Sequence, residues 1–278
     1  MAYSNFKPLV WSKHIQRELE KATVLQEDCN TEFEGEARQG SRVKILGVAR
    51  PTIGDYTGQN IGAPEDVPDT AVYLDIDRAK FFNFGVDDVD KAQSVEGLMQ
   101  ALMAESAAGL AQERDRYIAS LAKDAGGFSQ SLQIGTAAAA KEALDDAFVW
   151  LWNNDVKIND EVVITLTPWY YNLFKDSLTA LYTDNVELIR KGVVGMYNAA
   201  MVKISTNLYN DGTDDYMMIR TKKAIAFAGQ INETEAYRPE QLFKDAVKGL
   251  DTYGAKVVRP KEMYVIKAHE KRACSIRG

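Results

Sequence analysis

Two short stretches, Val43-Lys44-Ile45-Leu46-Gly47-Val48 and Val72-Tyr73-Leu74-Asp75-Ile76, decide how this chain is read. Apolar residues recur at close to every second position in both, the period of a strand with one buried face, so the two are predicted to pair. Residues 49–70 between them carry Pro51, Gly54, Asp55, Gly58, Asn60, Gly62, Pro64, Asp66, Pro68 and Asp69, which build turns and short extended pieces but no helix. Connections beyond roughly 12–15 residues without structure of their own are uncommon in compact domains and tend to be functional. With its base held by paired strands, this one reads as a long protruding hairpin whose tip has no core and must dock elsewhere. Its sizeable apolar anchors are Ile53, Tyr56, Ile61 and Val67; Arg42 and Arg78 stand at its foot, suited to charge-assisted bonds.

Before the hairpin, Trp11, Ile15, Leu19 and Ala22 recur at steps of four or three among charged residues, the pattern of a short amphipathic helix over 11–25. Its stripe packs either on its own domain or on another subunit. After the hairpin, residues 80–86 read as a strand, and Asp87, Asp88 and Asp90 follow. Three carboxylates suit a divalent cation, but acids also offset the dipole at a helix N-terminus, and a long helical pattern over 91–124 begins at once. At 1.5 Å per residue such a helix runs roughly 50 Å, a backbone for an elongated subunit. Gly109, in a patch of small residues with Ala104, Ala107, Ala108 and Ala111, is read as a point where another element approaches closely.

Further on, Leu144, Phe148, Val149, Leu151 and Trp152 mark a second amphipathic helix ending near Asn153-Asn154, followed by a strand at 162–166. Pro168 fits the first turn of a third helix, with Leu173, Phe174, Leu178 and Leu181 on its buried side. Segments 201–208 and 216–227 flank Asn210-Asp211-Gly212 and are predicted to form a hairpin. A short helix is expected at 242–250, then extended chain over 255–266 interrupted by Pro260. Helices interspersed with hairpins favour an α+β fold over repeated βαβ units.

The chain has 278 residues, 46% hydrophobic and 26% charged, ordinary globular proportions that exclude disorder, collagen and small disulfide scaffolds. A net charge of −7 has the wrong sign for gripping nucleic acid over the whole surface, though a local basic patch stays open. Cys29 and Cys274 fit neither a disulfide framework nor a metal knuckle and read as reduced cytosolic thiols. No signal core opens the sequence, and no window approaches the roughly 18 apolar residues of a membrane span. The only histidines, His14 and His269, lie at opposite ends, which disfavours serine, cysteine or metal catalysis. Residues 249–256 approach a phosphate-binding loop until Ala255 takes the lysine position, so they are read as a turn. For 207–218 to be a calcium loop, Met218 would have to be glutamate. No catalytic residue, cofactor or metal is expected.

A set of motifs in fixed order carries a resemblance. Phe33-Glu34-Gly35-Glu36 precedes the hairpin; Leu74-Asp75-Ile76-Asp77 runs into Phe81-Phe82-Asn83-Phe84; and Val86-Asp87-Asp88-Val89-Asp90 opens the long helix. Gly192-Val193-Val194-Gly195 then leads to Val202-Lys203-Ile204-Ser205-Thr206-Asn207, and Tyr253-Gly254-Ala255-Lys256-Val257-Val258-Arg259-Pro260 closes the series. Over nearly the whole chain this resembles the major capsid proteins of tailed double-stranded-DNA bacteriophages, which share the tailed-phage and herpesvirus capsid fold. The resemblance implies an α+β subunit with an N-terminal arm (1–40), an extended β-hairpin loop (41–78), a peripheral domain with a long spine helix (79–128 and 231–256) and an axial domain (129–230 and 257–278).

It further implies a structural protein, not an enzyme, that assembles as pentamers and hexamers into an icosahedral head shell around the phage DNA. Intersubunit contacts are expected from Trp11, Ile15 and Leu19 in the arm and from Arg42, Ile53, Tyr56, Ile61, Val67 and Arg78 in the loop. Expected partners are further copies of the chain, a separate scaffolding protein, a portal protein at one vertex, decoration proteins, and packaged double-stranded DNA held without sequence specificity; no membrane is involved. Separate scaffolding, without proteolytic maturation, is expected because only about 40 residues precede the loop. The location is the virion capsid, assembled in the host cytoplasm. Two alternatives stand beside this: a cargo-enclosing nanocompartment of the same fold, and a soluble enzyme independent of histidine.

Overall fold

The computed structural model describes residues 24–32, 42–48, 69–87, 98–158, 161–179, 195–239 and 244–271. In chain order the elements are β1 (Arg42–Val48), β2 (Asp69–Asp75), β3 (Arg78–Asp87), α1 (Leu98–Ser120), β4 (Gly127–Phe128), β5 (Leu132–Ile134), α2 (Ala137–Asn153), β6 (Val162–Leu166) and α3 (Pro168–Thr179). They continue with β7 (Met196–Tyr197), β8 (Ala200–Ile204), β9 (Asp215–Thr221), β10 (Ile225–Tyr237), β11 (Lys244–Val257) and β12 (Met263–Glu270). The architecture is α+β.

β1 and β2 pair antiparallel with Val43 opposite Leu74 and Ile45 opposite Val72. Val43, Ile45, Leu74 and Ile76 are buried while Lys44, Tyr73 and Asp75 face solvent, as the two-residue period requires. The buried side lies on Ala226 and Ala228 of β10, so the hairpin's base is fastened to the body by apolar contact.

β10, β11 and β3 form a three-stranded antiparallel sheet in that order. Phe82 and Phe84 pack under α1 against Met103, Ala107, Leu110 and Ala111. The remaining strands make a larger sheet, ordered β4-β12-β9-β6-β8-β7 with β5 also on β12. This sheet is covered on both faces. On β9, Met217 and Ile219 join the core under α2 and α3, whereas Tyr216 and Met218 join a second core with Ile118, Ala119 and Ala122 of the α1 end and with Phe227 and Tyr253. Strands covered on both sides read as continuous apolar runs, which is why 162–166 carries no alternation.

Several expectations are corrected. The helix expected at 242–250 is replaced, from residue 244 on, by a strand: Lys244–Val257 is laddered to β10 on one side and β3 on the other, and two hydrogen-bonded neighbours override a local alanine and lysine preference for helix. Residues 249–256 are therefore the middle of β11 and not a turn. Segments 201–208 and 216–227 do not form a hairpin, because β6 lies between β8 and β9, parallel to the first and antiparallel to the second. The Asn210-Asp211-Gly212 turn exists, with Gly212 at φ 98°, but it belongs to a crossover. Residues 216–227 divide at 222–224 into strands of two different sheets.

Gly109 has no close neighbour, since a side-chain carbon there would meet nothing within 4 Å. α1 ends in a 3-10 turn at Leu121–Asp124, while residues 88–97, with Asp88 and Asp90, lie outside the described residues. α2 starts at Thr136, whose hydroxyl accepts the Ala139 N–H, and ends at Asn153 as expected. Val149 and Trp152, however, sit on its exposed face, 50% and 52% accessible. In α3 the buried side carries Tyr170 and Phe174, and Leu181 lies outside the described residues.

Candidate assembly surfaces

At the N-terminal end of the described residues, a 3-10 turn at Gln26–Asp28 is gripped by charged side chains, of which Arg114, Asp115 and Arg220 are themselves buried. Asp115 of α1 accepts the Val24 and Leu25 N–H groups at 3.0 and 3.1 Å. Arg220 of β9, with no exposed surface, donates to the Leu25 carbonyl at 2.9 Å and to the Asp28 carbonyl. Arg114, ion-paired with Asp251 of β11 and lying over the Phe227 and Tyr253 rings, donates to the Gln26 side chain at 3.1 Å. Lys203 of β8 reaches Asp28 at 2.8 Å and Glu27 at 3.2 Å. Asn30 then exchanges backbone bonds with Ile225 and Phe227 of β10. Burial pushes the Asp115 carboxyl up, against the lowering effect of the backbone N–H groups. For Lys203 burial acts the other way, but Asp28 and Glu27 prevail and its pKa is raised.

At the hairpin's foot, Arg42 donates to Asp75 across the strand pair at 2.5 Å and lies 5.3 Å over the Tyr73 ring. Arg78 lies 5.1 Å over Tyr117 of α1, and the adjacent Lys80 pairs with Glu113 at 2.9 Å. The hydrogen bond from Lys80 holds the Glu113 carboxyl below its usual range. Gly254 of β11 closes the joint: a side-chain carbon there would overlap the Asp75 carbonyl oxygen and stand 3.0 Å from Ile76 Cα.

Large apolar side chains are also exposed among the described residues. Phe81, 77% accessible, projects from the sheet face opposite α1, beside the Asn83–Tyr237 hydrogen bond and the Lys248–Glu235 ion pair. Val149 and Trp152 are exposed on α2, and Met196, Met201 and Ile204 on β7 and β8. His269 pairs with Asp214 at 2.7 Å, and among the described residues no group of three or more His, Cys, Asp or Glu is placed to hold a metal. No described helix is long and apolar enough to cross a membrane.

No protein-family model and no curated protein matches the chain. Solved structures do. A structure from Mycobacterium phage Che8 superposes with a TM-score of 0.74 and 29% identity, covering 88% of this chain and 90% of that one. The capsid of the cyanophage P-SCSP1u gives 0.70 at 15% identity over 90% and 89% of the two chains. The chain has the tailed-phage major capsid fold. A virus-like particle from Pyrococcus furiosus is also similar, at 0.59 and 11% identity, with 92% of this chain and 97% of that one covered.

Of the interface residues expected for this capsid fold, Arg42 and Arg78 fall within the described residues, and each has a partner in its own subunit. Trp11, Ile15, Leu19, Ile53, Tyr56, Ile61 and Val67 lie outside them. The grip on residues 24–30 was missed by sequence reasoning, although a signal existed. Arg114 and Asp115 continue the stripe Met103, Ala107, Leu110 and Ala111 toward Ile118, so they stand at core positions of the helix. Arg220 interrupts the otherwise apolar run Met217-Met218-Ile219 of a buried strand. Charges at core positions need partners: Asp115 and Arg220 find them in main-chain atoms, Arg114 in the side chains of Asp251 and Gln26.

Proposed function

We propose that this chain is the structural subunit of an icosahedral phage head shell, with no catalysis of its own. The observation that carries the reading is the end-to-end likeness to the Che8 phage structure, with 88% and 90% of the two chains covered at 29% identity. The three-stranded sheet with α1 corresponds to the peripheral domain, and the larger sheet with α2 and α3 to the axial domain. The hairpin of β1 and β2 and the arm before Val24 reach neighbouring copies, using Ile53, Tyr56, Ile61 and Val67 at the tip and Trp11, Ile15 and Leu19 in the arm. Arg42 and Arg78 stiffen the hairpin's foot and contribute to the same contacts. A scaffolding protein, a portal, decoration proteins and DNA are the further partners, and assembly takes place in the host cytoplasm.

The net charge of −7 supports a container whose wall does not hold its DNA tightly, because affinity for phosphates grows with each lysine or arginine contact. Negative-stain electron microscopy of the purified protein tests the reading: closed shells, tubes or curved sheets are expected, and a small oligomer that never extends would refute it. The Pyrococcus match, a virus-like particle, shares the fold, and a cargo-enclosing compartment of that fold is the second reading. Particles from the native source separate the two by content, DNA with a portal for a phage head or protein cargo for a compartment.

A further inference from the structure

We propose that Asp115 and Arg220 are positioning residues that fix the root of the N-terminal arm, and so the direction in which the chain leaves the body toward a neighbouring subunit. The inference rests on the shell reading above. Residues 24–30 bury little apolar surface of their own, chiefly Leu25 and Cys29. Apolar burial is non-directional, so those two side chains hold the segment in place without fixing its register.

Direction comes from the polar groups. Asp115 takes the N–H groups at the start of the segment, while Arg220 takes the Leu25 and Asp28 carbonyls. Both side chains are almost fully buried, and each directs charged hydrogen bonds at main-chain atoms of the same short segment. Such bonds weaken steeply when bent, so a shift of one residue would leave buried charges unmatched. The two residues also come from different parts of the subunit, Asp115 from the helix over the three-stranded sheet and Arg220 from the middle of the larger sheet. The root therefore sits across their junction, with Asn30 tied to β10 beside it.

The experiment compares wild type with Asp115→Ala, Asp115→Asn and Arg220→Lys in the full chain. Amide hydrogen exchange of Val24 and Leu25 in free subunits should quicken at least roughly tenfold in Asp115→Ala while melting stays cooperative, and less in Asp115→Asn, which keeps an acceptor oxygen. Arg220→Lys keeps the charge but replaces the planar fork, whose two terminal nitrogens each serve one carbonyl, with a single ammonium nitrogen. Shells from Asp115→Ala and Arg220→Lys should be fewer and mixed in diameter, with Asp115→Asn partly restored.

Unchanged exchange at Val24 and Leu25 would overturn the proposal, and so would loosened roots that still build uniform shells of wild-type size. If Asp115→Ala fails to fold, Asp115→Asn, which conserves volume, decides by the same readouts. Wild type that never assembles under any condition counts against the shell reading itself; the fixing of the root is then judged by exchange alone.

Discussion

Replacing Gly254 by alanine should loosen the extended hairpin from the body. The new carbon would overlap the Asp75 carbonyl oxygen and lie 3.0 Å from Ile76 Cα, where contacts between carbon atoms are ordinarily about 3.5–4.0 Å. The chain at Asp75–Ile76 must therefore retreat by roughly 0.5–1 Å. It is held there by the pairing of Arg78 with Tyr253 and by Leu74 and Ile76, both almost fully buried. Overpacking of this kind costs about 1–3 kcal/mol, and partial exposure of two side chains each worth about 1.5–3 kcal/mol adds to it. Alanine recovers about 0.5–1 kcal/mol of backbone entropy, so a net loss of about 2–3 kcal/mol is expected. Urea unfolding of free subunits, followed by tryptophan fluorescence, measures it. Gly109→Ala is the control, because its added carbon meets nothing within 4 Å and a helical alanine gains up to about 1 kcal/mol. The reasoning fails if Gly254→Ala lies within about 0.5 kcal/mol of wild type, or if the two substitutions shift stability in the same direction.

Val48 and Asp69 are paired partners, so Asn-Gly in place of residues 49–68 can close a two-residue turn; the subunit should melt as before yet assemble poorly, and loss of cooperative melting would count against this. Ala199 sits at φ 64° in the turn between β7 and β8, and Ala199→Gly should raise Tm by about 2–4 °C, with any fall refuting the strain argument. Burial, with Asp251 beside it, pushes Tyr253 up to about 12, and burial also raises Tyr170 and Tyr197. Unfolded tyrosine ionises near about 10, so the unfolded state sheds these protons first and stability should fall as pH climbs above about 10; Tyr253→Phe should flatten that slope in urea midpoints. No lysine lies between Ile45 and Ala79, and Lys80 at the foot is paired to Glu113, so the hairpin tip offers no amine for an isopeptide bond to a neighbour's asparagine. Shells boiled in detergent should run as single subunits of 31.0 kDa, and a ladder of multimers would disprove it.

The parts that sequence reading recovered are those whose burial has a period. The first hairpin, α2 and the strand at 162–166 each bury one face or both, and their residue order records it. The strand β11 escaped because its alanines and lysines favour helix locally, whereas its conformation is imposed by partners distant in sequence, Arg78–Asp87 and Ile225–Tyr237. The turn at Asn210 was recognised while its topology was not, because turn chemistry says where the chain reverses and nothing about which strand it next lies beside. Among site residues, Val149 and Trp152 were read as core because an amphipathic pattern does not say how wide the buried stripe is. The grip on residues 24–30 joins side chains about 90 to 195 positions away, a relation no local window contains.

That separation also sets an order of events on the ribosome. Leu25 shares its core with Tyr253, Met263 and Val265, and the hairpin rests on a strand beginning at Ile225. A nascent chain has neither support until most of it has emerged, and contacts so distant in sequence close late. The two segments proposed to reach other subunits are thus synthesised ahead of the strands that anchor them, and are among the last to be anchored. An unfinished subunit presents its arm and hairpin without a fixed base, so competence for shell building arrives only with the completed polypeptide.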